Sequence, residues 1–104
     1  MVEIGMFKMI TRMKIPEYAK VSARKGLDNR KKSNLTPKEA RDFSVYSGIS
    51  KANKIIKNKY IDEKDMKSIA KFYKNNKNKS SKKNEDAFLL WGGRDFGLFL
   101  SKIY

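Results

Sequence analysis

Apolar residues in this chain recur three and four positions apart, the spacing that places side chains on one face of an α-helix. The clearest case contains Met66, Ile69 and Tyr73, and it follows Asp62, a residue type that favours the N-cap position. Similar short segments occur elsewhere, separated by glycines, prolines and polar runs. We therefore expect an all-α fold, a compact single domain of five or six short helices over residues 1–104.

Residues with strong positional preferences mark the other helix boundaries. Pro16 predicts the start of a helix that runs to about Arg30, because proline is tolerated in the first helical turn. Thr36 and Glu39 predict another start, since their side chains and backbone N–H groups can bond reciprocally in a capping box. Gly48 predicts the end of that helix, because glycine readily adopts the left-handed conformation that terminates helices.

A helix-turn-helix is one interpretation of the segment around Gly48. Ser50 follows as a cap for a short basic helix, which is the order of a turn and a DNA-recognition helix. Lys54 argues against this interpretation, because it occupies a position where such motifs need an apolar residue. A simple corner between two helices is the alternative.

The first residues of the chain have two interpretations. Val2 and Ile4 alternate with polar neighbours as in a strand, whereas Met6, Met9 and Met13 follow helical spacing. The sequence thus leaves room for a short N-terminal strand.

The last segment is apolar although the chain carries a formal charge of +14. A basic polar loop is predicted at 75–84. An apolar helical pair is predicted at 85–104, with Asn84 as the N-cap of its first helix and a break between the two helices at Gly92 and Gly93. We expect this pair to close the core, an exposed docking patch being the alternative. The predicted core consists of Leu27, Phe43, Ile55, Ile56, Met66, Ile69, Tyr73, Leu90, Trp91, Phe96 and Phe99.

Composition excludes several function classes. The chain contains neither cysteine nor histidine, which removes disulfides, thiolate nucleophiles, most zinc sites and the usual general base near neutral pH. Its clustered carboxylates, such as Asp62 and Asp65, stand where helix N-termini favour negative charge. We expect no enzymatic activity, no cofactor and no metal site. No apolar stretch approaches the ~18 residues of a transmembrane helix, so no membrane partner is expected.

Positive charge is concentrated in the middle of the chain, where residues 49–83 hold 12 basic and 3 acidic side chains. Such a density favours a polyanionic partner, with DNA preferred over RNA. Lysine suits phosphates in any sequence context, so binding should be largely non-specific. Tyr60 and Tyr73 are candidates for stacking on unpaired bases. The predicted nucleic-acid-binding residues are Lys51, Asn53, Lys54, Lys57, Lys59, Lys67, Lys71, Lys74, Lys77, Lys79, Lys82 and Lys83.

Three segments, ARKGLDNR, SGISKANKIIKNKYIDEKDMKSIAKFY and AFLLWGG, resemble a small domain often encoded by tailed bacteriophages, alone or beside head-maturation protease sequences. The Leu-Trp-Gly-Gly at residues 90–93 is the most specific part; Arg94 departs from the Asp that often follows it. The family has no agreed activity. The resemblance implies a helical viral protein in the host cytoplasm or the virion, with virion proteins or an acidic host protein as alternative partners.

Overall fold

The computed structural model describes residues 12–32, 37–38 and 45–104. The elements with defined bounds are β1 (Arg12–Lys14), α1 (Glu17–Lys32), α2 (Val45–Lys57), β2 (Tyr60–Asp62), α3 (Glu63–Asn76), α4 (Lys82–Leu90) and α5 (Arg94–Ser101). Five short helices and a strand near the N-terminus confirm the predicted fold class. Within the described ranges, no helix combines the length and the hydrophobicity required to cross a membrane.

The two strands form an antiparallel ribbon in which Met13 lies opposite Ile61. Ile61 is buried, and the backbone N–H of Ile15 extends the pairing by donating to the carbonyl of Lys59 at 2.9 Å. The strand predicted around Val2 lies outside the described residues. The ribbon joins two segments far apart in the chain, so periodicity within either segment does not predict it.

Helix α1 packs against α4 with almost no intervening side chain. Ala19 and Ala23 are fully buried, and a methyl group at Gly26 would lie 2.7 Å from the backbone nitrogen of Leu90. Small residues on one face of α1 therefore let the two backbones approach closely.

Helix α2 runs without interruption through Gly48 and Ser50, so the predicted helix end and the predicted cap are both wrong. Gly48 is buried, and a methyl group there would lie 3.0 Å from Cδ1 of Leu90 and 3.3 Å from Nε1 of Trp91. The small residue serves close packing inside a helix. The helix-turn-helix interpretation is wrong for the same reason. The start predicted at Thr36 lies outside the described residues.

Helix α3 begins as predicted, with the Asp62 carboxylate accepting a hydrogen bond from the backbone N–H of Asp65 at 2.9 Å. It continues to Asn76, however, and α4 begins at Lys82. The predicted loop at 75–84 therefore shrinks to residues 77–81. Ser81 rather than Asn84 caps α4, because the Ser81 hydroxyl accepts from the Asn84 backbone N–H.

The chain turns between α4 and α5 at Gly92 and Gly93, with φ angles of 99° and 93°. These values lie in the region that favours glycine, which confirms the predicted break. Helix α5 then packs against α3 and buries Phe96 and Leu100. Phe99 is 43% exposed, so its assignment to the core is wrong. The buried face of α5 carries Phe96, Gly97 and Leu100, and a methyl group at Gly97 would lie 2.8 Å from Cβ of Tyr73 in α3. Phe99 lies outside this face.

The observed core contains five of the eleven predicted core residues. Ile55, Met66, Ile69, Leu90 and Phe96 are at most 2% exposed. The predicted core residues that are only partly buried are Leu27, Ile56, Tyr73 and Trp91, and Phe43 lies outside the described residues. The buried apolar residues that the predicted core omits are Ile15, Ala19, Ala23, Ala52, Ile61, Ala70, Phe88 and Leu100.

Candidate nucleic-acid interface

Helices α2 and α3 make few close backbone contacts with each other, although each packs closely against other elements. Two cavities open beside them. The first, of about 330 Å³, is lined in part by Arg12, Lys54, Asn58 and Tyr60, and is called here the ribbon cavity. The second, of about 650 Å³, also borders α4; we call it the aromatic cavity, and its lining residues are Ser47, Ser68, Lys71, Phe72, Asn75, Asn76, Lys79, Asn84, Ala87 and Trp91.

An ion pair between Lys51 and Asp65 connects α2 to α3. The two side chains are only 17% and 12% exposed, and Lys54 approaches the same carboxylate at 3.5 Å. Burial acts to raise the pKa of Asp65, but hydrogen bonding and positive charge from Lys51 and Lys54 together hold that pKa below its usual value. Lys51 is thus committed to the fold, whereas Lys54, which is 55% exposed, is within reach of a ligand.

A stripe of lysines follows the outer face of α3. Lys64, Lys67, Lys71 and Lys74 are all exposed, and their spacing distributes them over about 15 Å of helix. Lys67 pairs with Glu63 at 2.7 Å, and Lys74 donates to the backbone carbonyl of the last residue. Lys64 and Lys71 have no such partner among the described residues, so this stripe presents unneutralised positive charge.

Arg94 fixes the short loop between α3 and α4. Its guanidinium binds Glu85, with Nε 3.0 Å from Oε1 and Nη2 2.5 Å from the same oxygen. It also donates to the carbonyls of Lys77 at 3.0 Å and Lys79 at 2.6 Å. The hydrogen bonds lower the pKa of Glu85 and raise the pKa of Arg94. The side chains of Lys77 and Lys79 extend from this anchored loop into solvent.

The remaining predicted residues are scattered around this surface. Asn53, Lys57 and Lys59 are exposed. Lys82 is 83% exposed and pairs with Asp86 at 3.3 Å. The prediction for Lys83 lies outside the described side chains.

Of the two tyrosines proposed to stack on bases, Tyr60 is exposed and Tyr73 is partly buried. Tyr60 is 44% exposed in the ribbon, with the Arg12 guanidinium 4.7 Å and the Lys59 ammonium 5.8 Å from its ring centroid. Tyr73 packs instead against the backbone at Gly97 and lies 6.1 Å from the ring of Phe88. Arg12 was missed because only the ribbon, which pairs distant segments, brings it to this site.

The wall of the aromatic cavity contains a stacked ring pair. Phe72 and Trp91 lie 4.5 Å apart with an interplanar angle of 2°. Side-chain amides of Asn75, Asn76 and Asn84 share the lining. Sequence reasoning assigned the asparagines to a loop and the Trp to the core, and no local pattern in the chain would have placed them together.

No group of acidic side chains suited to hold a metal ion occurs among the described residues. Comparison of the chain with protein-family models, with curated proteins and with solved structures finds no match.

Proposed function

We propose that the protein binds nucleic acid through its phosphates, with little dependence on base sequence. One observation carries this proposal: exposed lysines without a carboxylate partner among the described residues line the aromatic cavity or lie next in the chain to residues that line one of the two cavities. Within residues 51–83 they are Lys57, Lys59, Lys64, Lys71, Lys74, Lys77 and Lys79. Lys64 was absent from the predicted set. Unneutralised charge of this density repels itself, and a polyanion relieves the repulsion.

The paired lysines strengthen this surface. Lys54 and Lys67 are more than half exposed, and ion pairs at exposed positions contribute only about 0–1 kcal/mol. Such lysines can exchange their carboxylate partner for a phosphate at small cost. Lys51 is different, because its largely buried pair with Asp65 connects two helices.

We favour DNA as the partner because the chain resembles a domain of tailed bacteriophages. The Leu-Trp-Gly-Gly at residues 90–93 is the most specific part of that resemblance. A phage protein of this charge would meet replicating DNA in the host cytoplasm or packaged DNA in the virion. Non-specific phosphate contact suits both settings, because neither requires one base sequence to be selected.

The test is the salt dependence of binding to a duplex of random sequence. Replacement of Lys57, Lys64, Lys71 and Lys79 by Gln removes four exposed charges from the proposed surface. Each lost phosphate contact should flatten the slope of log K against log salt concentration by about 0.9, so the slope should fall by about 3 to 4 if all contact phosphate.

A matched control removes the same charge elsewhere. Lys25, Lys31, Lys32 and Lys102 are also exposed, and their replacement by Gln changes the net charge equally. We expect the control to retain most of the wild-type slope. Equal slopes for the two variants would mean that net charge alone drives binding, and absence of binding at physiological salt would reject the function.

A second candidate function, contact with a virion or host protein, is favoured by a different surface. Leu98, Phe99 and Ile103 are 41%, 43% and 43% exposed at the C-terminal helix. Clustered exposed apolar side chains are typical of protein interaction sites. Replacement of Leu98 and Phe99 by Ser should abolish capture of such a partner without changing the salt slope on DNA.

A further inference from the structure

We propose that the aromatic cavity accommodates an unpaired base, so that single-stranded nucleic acid is preferred over a duplex. This inference rests on the proposed function and names its substrate class. The cavity volume of about 650 Å³ falls within the range of about 300–1,000 Å³ that is typical of small-molecule sites.

Phe72 and Trp91 supply the aromatic part of the lining. Their rings stack on each other, with centroids 4.5 Å apart and an interplanar angle of 2°, so each covers one face of the other and a base stacks on an outer face of the pair. Both side chains are partly exposed rather than buried. An aromatic wall of this kind binds the face of a base by stacking, which tolerates any base because every base has a π-face. In a duplex those faces are covered by the neighbouring base pairs, so only an unpaired base can use the wall.

Three side-chain amides supply groups for the edge of the base. Asn76 donates its amide N–H to the carbonyl of Phe72 at 2.8 Å, and Asn84 donates to the Ser81 hydroxyl at 2.7 Å. These bonds fix the two amides and leave their oxygens as acceptors. Asn75 has no hydrogen-bonded partner among the described residues and offers both a donor and an acceptor. Amides are the side chains that pair well with base edges.

Charge in the lining suits the phosphates on either side of such a base. Lys71 and Lys79 belong to the cavity, and its described lining contains no carboxylate. The Lys79 backbone is held by Arg94 at 2.6 Å, which keeps that lysine at the cavity. A stacked base and two flanking phosphates therefore meet complementary groups.

The fluorescence of Trp91 tests the inference directly, because it is the only Trp in the chain. We would titrate the intact protein with a single-stranded oligothymidylate, with a duplex of equal length, and with an oligomer of equal length that lacks bases. The expected result is a change in Trp fluorescence with the first ligand only. All three ligands should bind with steep salt dependence, since all carry phosphates.

Two variants with a matched control separate the cavity from the rest of the surface. Phe72→Leu keeps an apolar side chain but removes the stacked ring, and should weaken single-strand binding about 5-fold or more. Asn75→Ala should weaken it about 2- to 10-fold. The control Asn78→Ala removes an exposed amide from the loop between α3 and α4, at a position that does not line the cavity. It should leave binding unchanged, and none of the three should alter duplex affinity.

The results of these experiments separate the base site from phosphate binding. Salt-dependent binding without a change in Trp91 fluorescence would overturn the base site and leave phosphate binding intact. The same holds if Phe72→Leu loses equal affinity for the single strand and the duplex. Failure of all three ligands to bind would reject both. Thermal unfolding of each variant identifies loss of affinity that comes from loss of folded protein.

Discussion

Helix α1 meets α4 with backbone against backbone at Gly26, whereas α2 and α3 are connected through the side chains of Lys51 and Asp65. The first contact is closed, and a single added methyl group would overlap the neighbouring chain. The second contact is open, with polar cavities beside it. The same domain thus contains a rigid crossing without space for a ligand and a pair of separated helices with space for one.

This contrast shows how a small domain can keep a binding surface. Dense packing stabilises the crossing through contacts that need no partner. Separated helices forgo such contacts, and the Lys51–Asp65 pair holds them at the cost of desolvating two charges. The extensive contacts that stabilise the domain are those of α3 with α5, of α1 with α4 and of α1 with α2, while the space beside α2 and α3 is available for a ligand.

Gly26→Ala should have the largest effect on stability. The new methyl group would lie 2.7 Å from the Leu90 nitrogen and 3.0 Å from the Leu89 carbonyl carbon. Backbone atoms cannot move aside as a side chain does, so we expect a loss of about 3 kcal/mol despite the better helix propensity of alanine. Denaturant unfolding monitored by circular dichroism measures the free energy of unfolding.

Gly48→Ala is the control for that prediction. The nearest atoms to the added methyl group are Cδ1 of Leu90 at 3.0 Å and its Cβ at 3.2 Å. A leucine end group can rotate away, and alanine favours the helix by roughly 1 kcal/mol over glycine. We expect a change within about 1 kcal/mol. Equal losses of unfolding free energy in Gly26→Ala and Gly48→Ala would show that the α1–α4 crossing is packed no more tightly than the surroundings of Gly48.

Asp65→Asn should have the next largest effect, because it leaves Lys51 without its carboxylate in a site that is 17% exposed. Loss of a hydrogen bond to a charged group predicts about 1.5–3 kcal/mol at neutral pH. Helices α2 and α3 should separate further, and faster hydrogen exchange in α2 would detect this. A neutral result would mean that the pair does not hold the two helices.

The same variant predicts a change in pH dependence. The pKa of Asp65 is lowered in the folded protein, so its stabilising contribution is fully present above the unfolded pKa of about 3.9 and is lost as pH falls through the lower folded value. Wild-type stability should therefore decrease below about pH 4, and Asp65→Asn should decrease less. A smaller acid loss should persist from Glu85, whose pKa Arg94 also lowers.

Local sequence rules predicted the parts of the fold that local chemistry decides. The Asp62 cap, the apolar stripe through Met66 and Ile69, and the turn at Gly92 all follow from the preferences of single residues or of one helical face. Gly48 shows where such rules stop. A helix interior and a helix end both accept glycine, and only the approach of Leu90 and Trp91 decides between them.

The candidate site was less predictable, because its parts come from distant segments. Charge density pointed to the lysines of residues 51–83. It did not reveal that Lys51 forms an ion pair with Asp65 and is therefore not free to bind a ligand. Phe72 of α3 and Trp91, the residue that follows α4, meet at the aromatic cavity, where rings of α3 also contact Phe88 of α4. Helical spacing predicts that each ring lies on an apolar face. It does not predict whether another part of the chain covers that face.

Arg94→Lys should have a smaller effect that is confined to the rim of the aromatic cavity. Lysine keeps the charge but loses the planar fork that binds Glu85 and two loop carbonyls at once. We expect a loss of about 1–2 kcal/mol and faster hydrogen exchange at residues 77–81. Arg24→Lys is the control, since its pair with Glu17 at 3.5 Å is exposed. It should change stability by less than about 0.5 kcal/mol.

Lys20→Met should have a smaller effect on stability than Arg94→Lys, and it separates lysines that hold the fold from lysines that meet a ligand. The Lys20 ammonium donates to the carbonyls of Ile55 at 2.6 Å and Ile56 at 3.1 Å, at the C-terminus of α2 where carbonyls lack helical partners. Methionine keeps the apolar stem, so we expect a loss of about 1 kcal/mol and an unchanged salt slope on DNA. Lys71→Met should do the reverse, flattening the slope by about 0.9 with stability changed by less than about 0.5 kcal/mol. If both lysines changed the slope equally, the positive charge would act as a diffuse field, and the separation of structural from binding lysines would not hold.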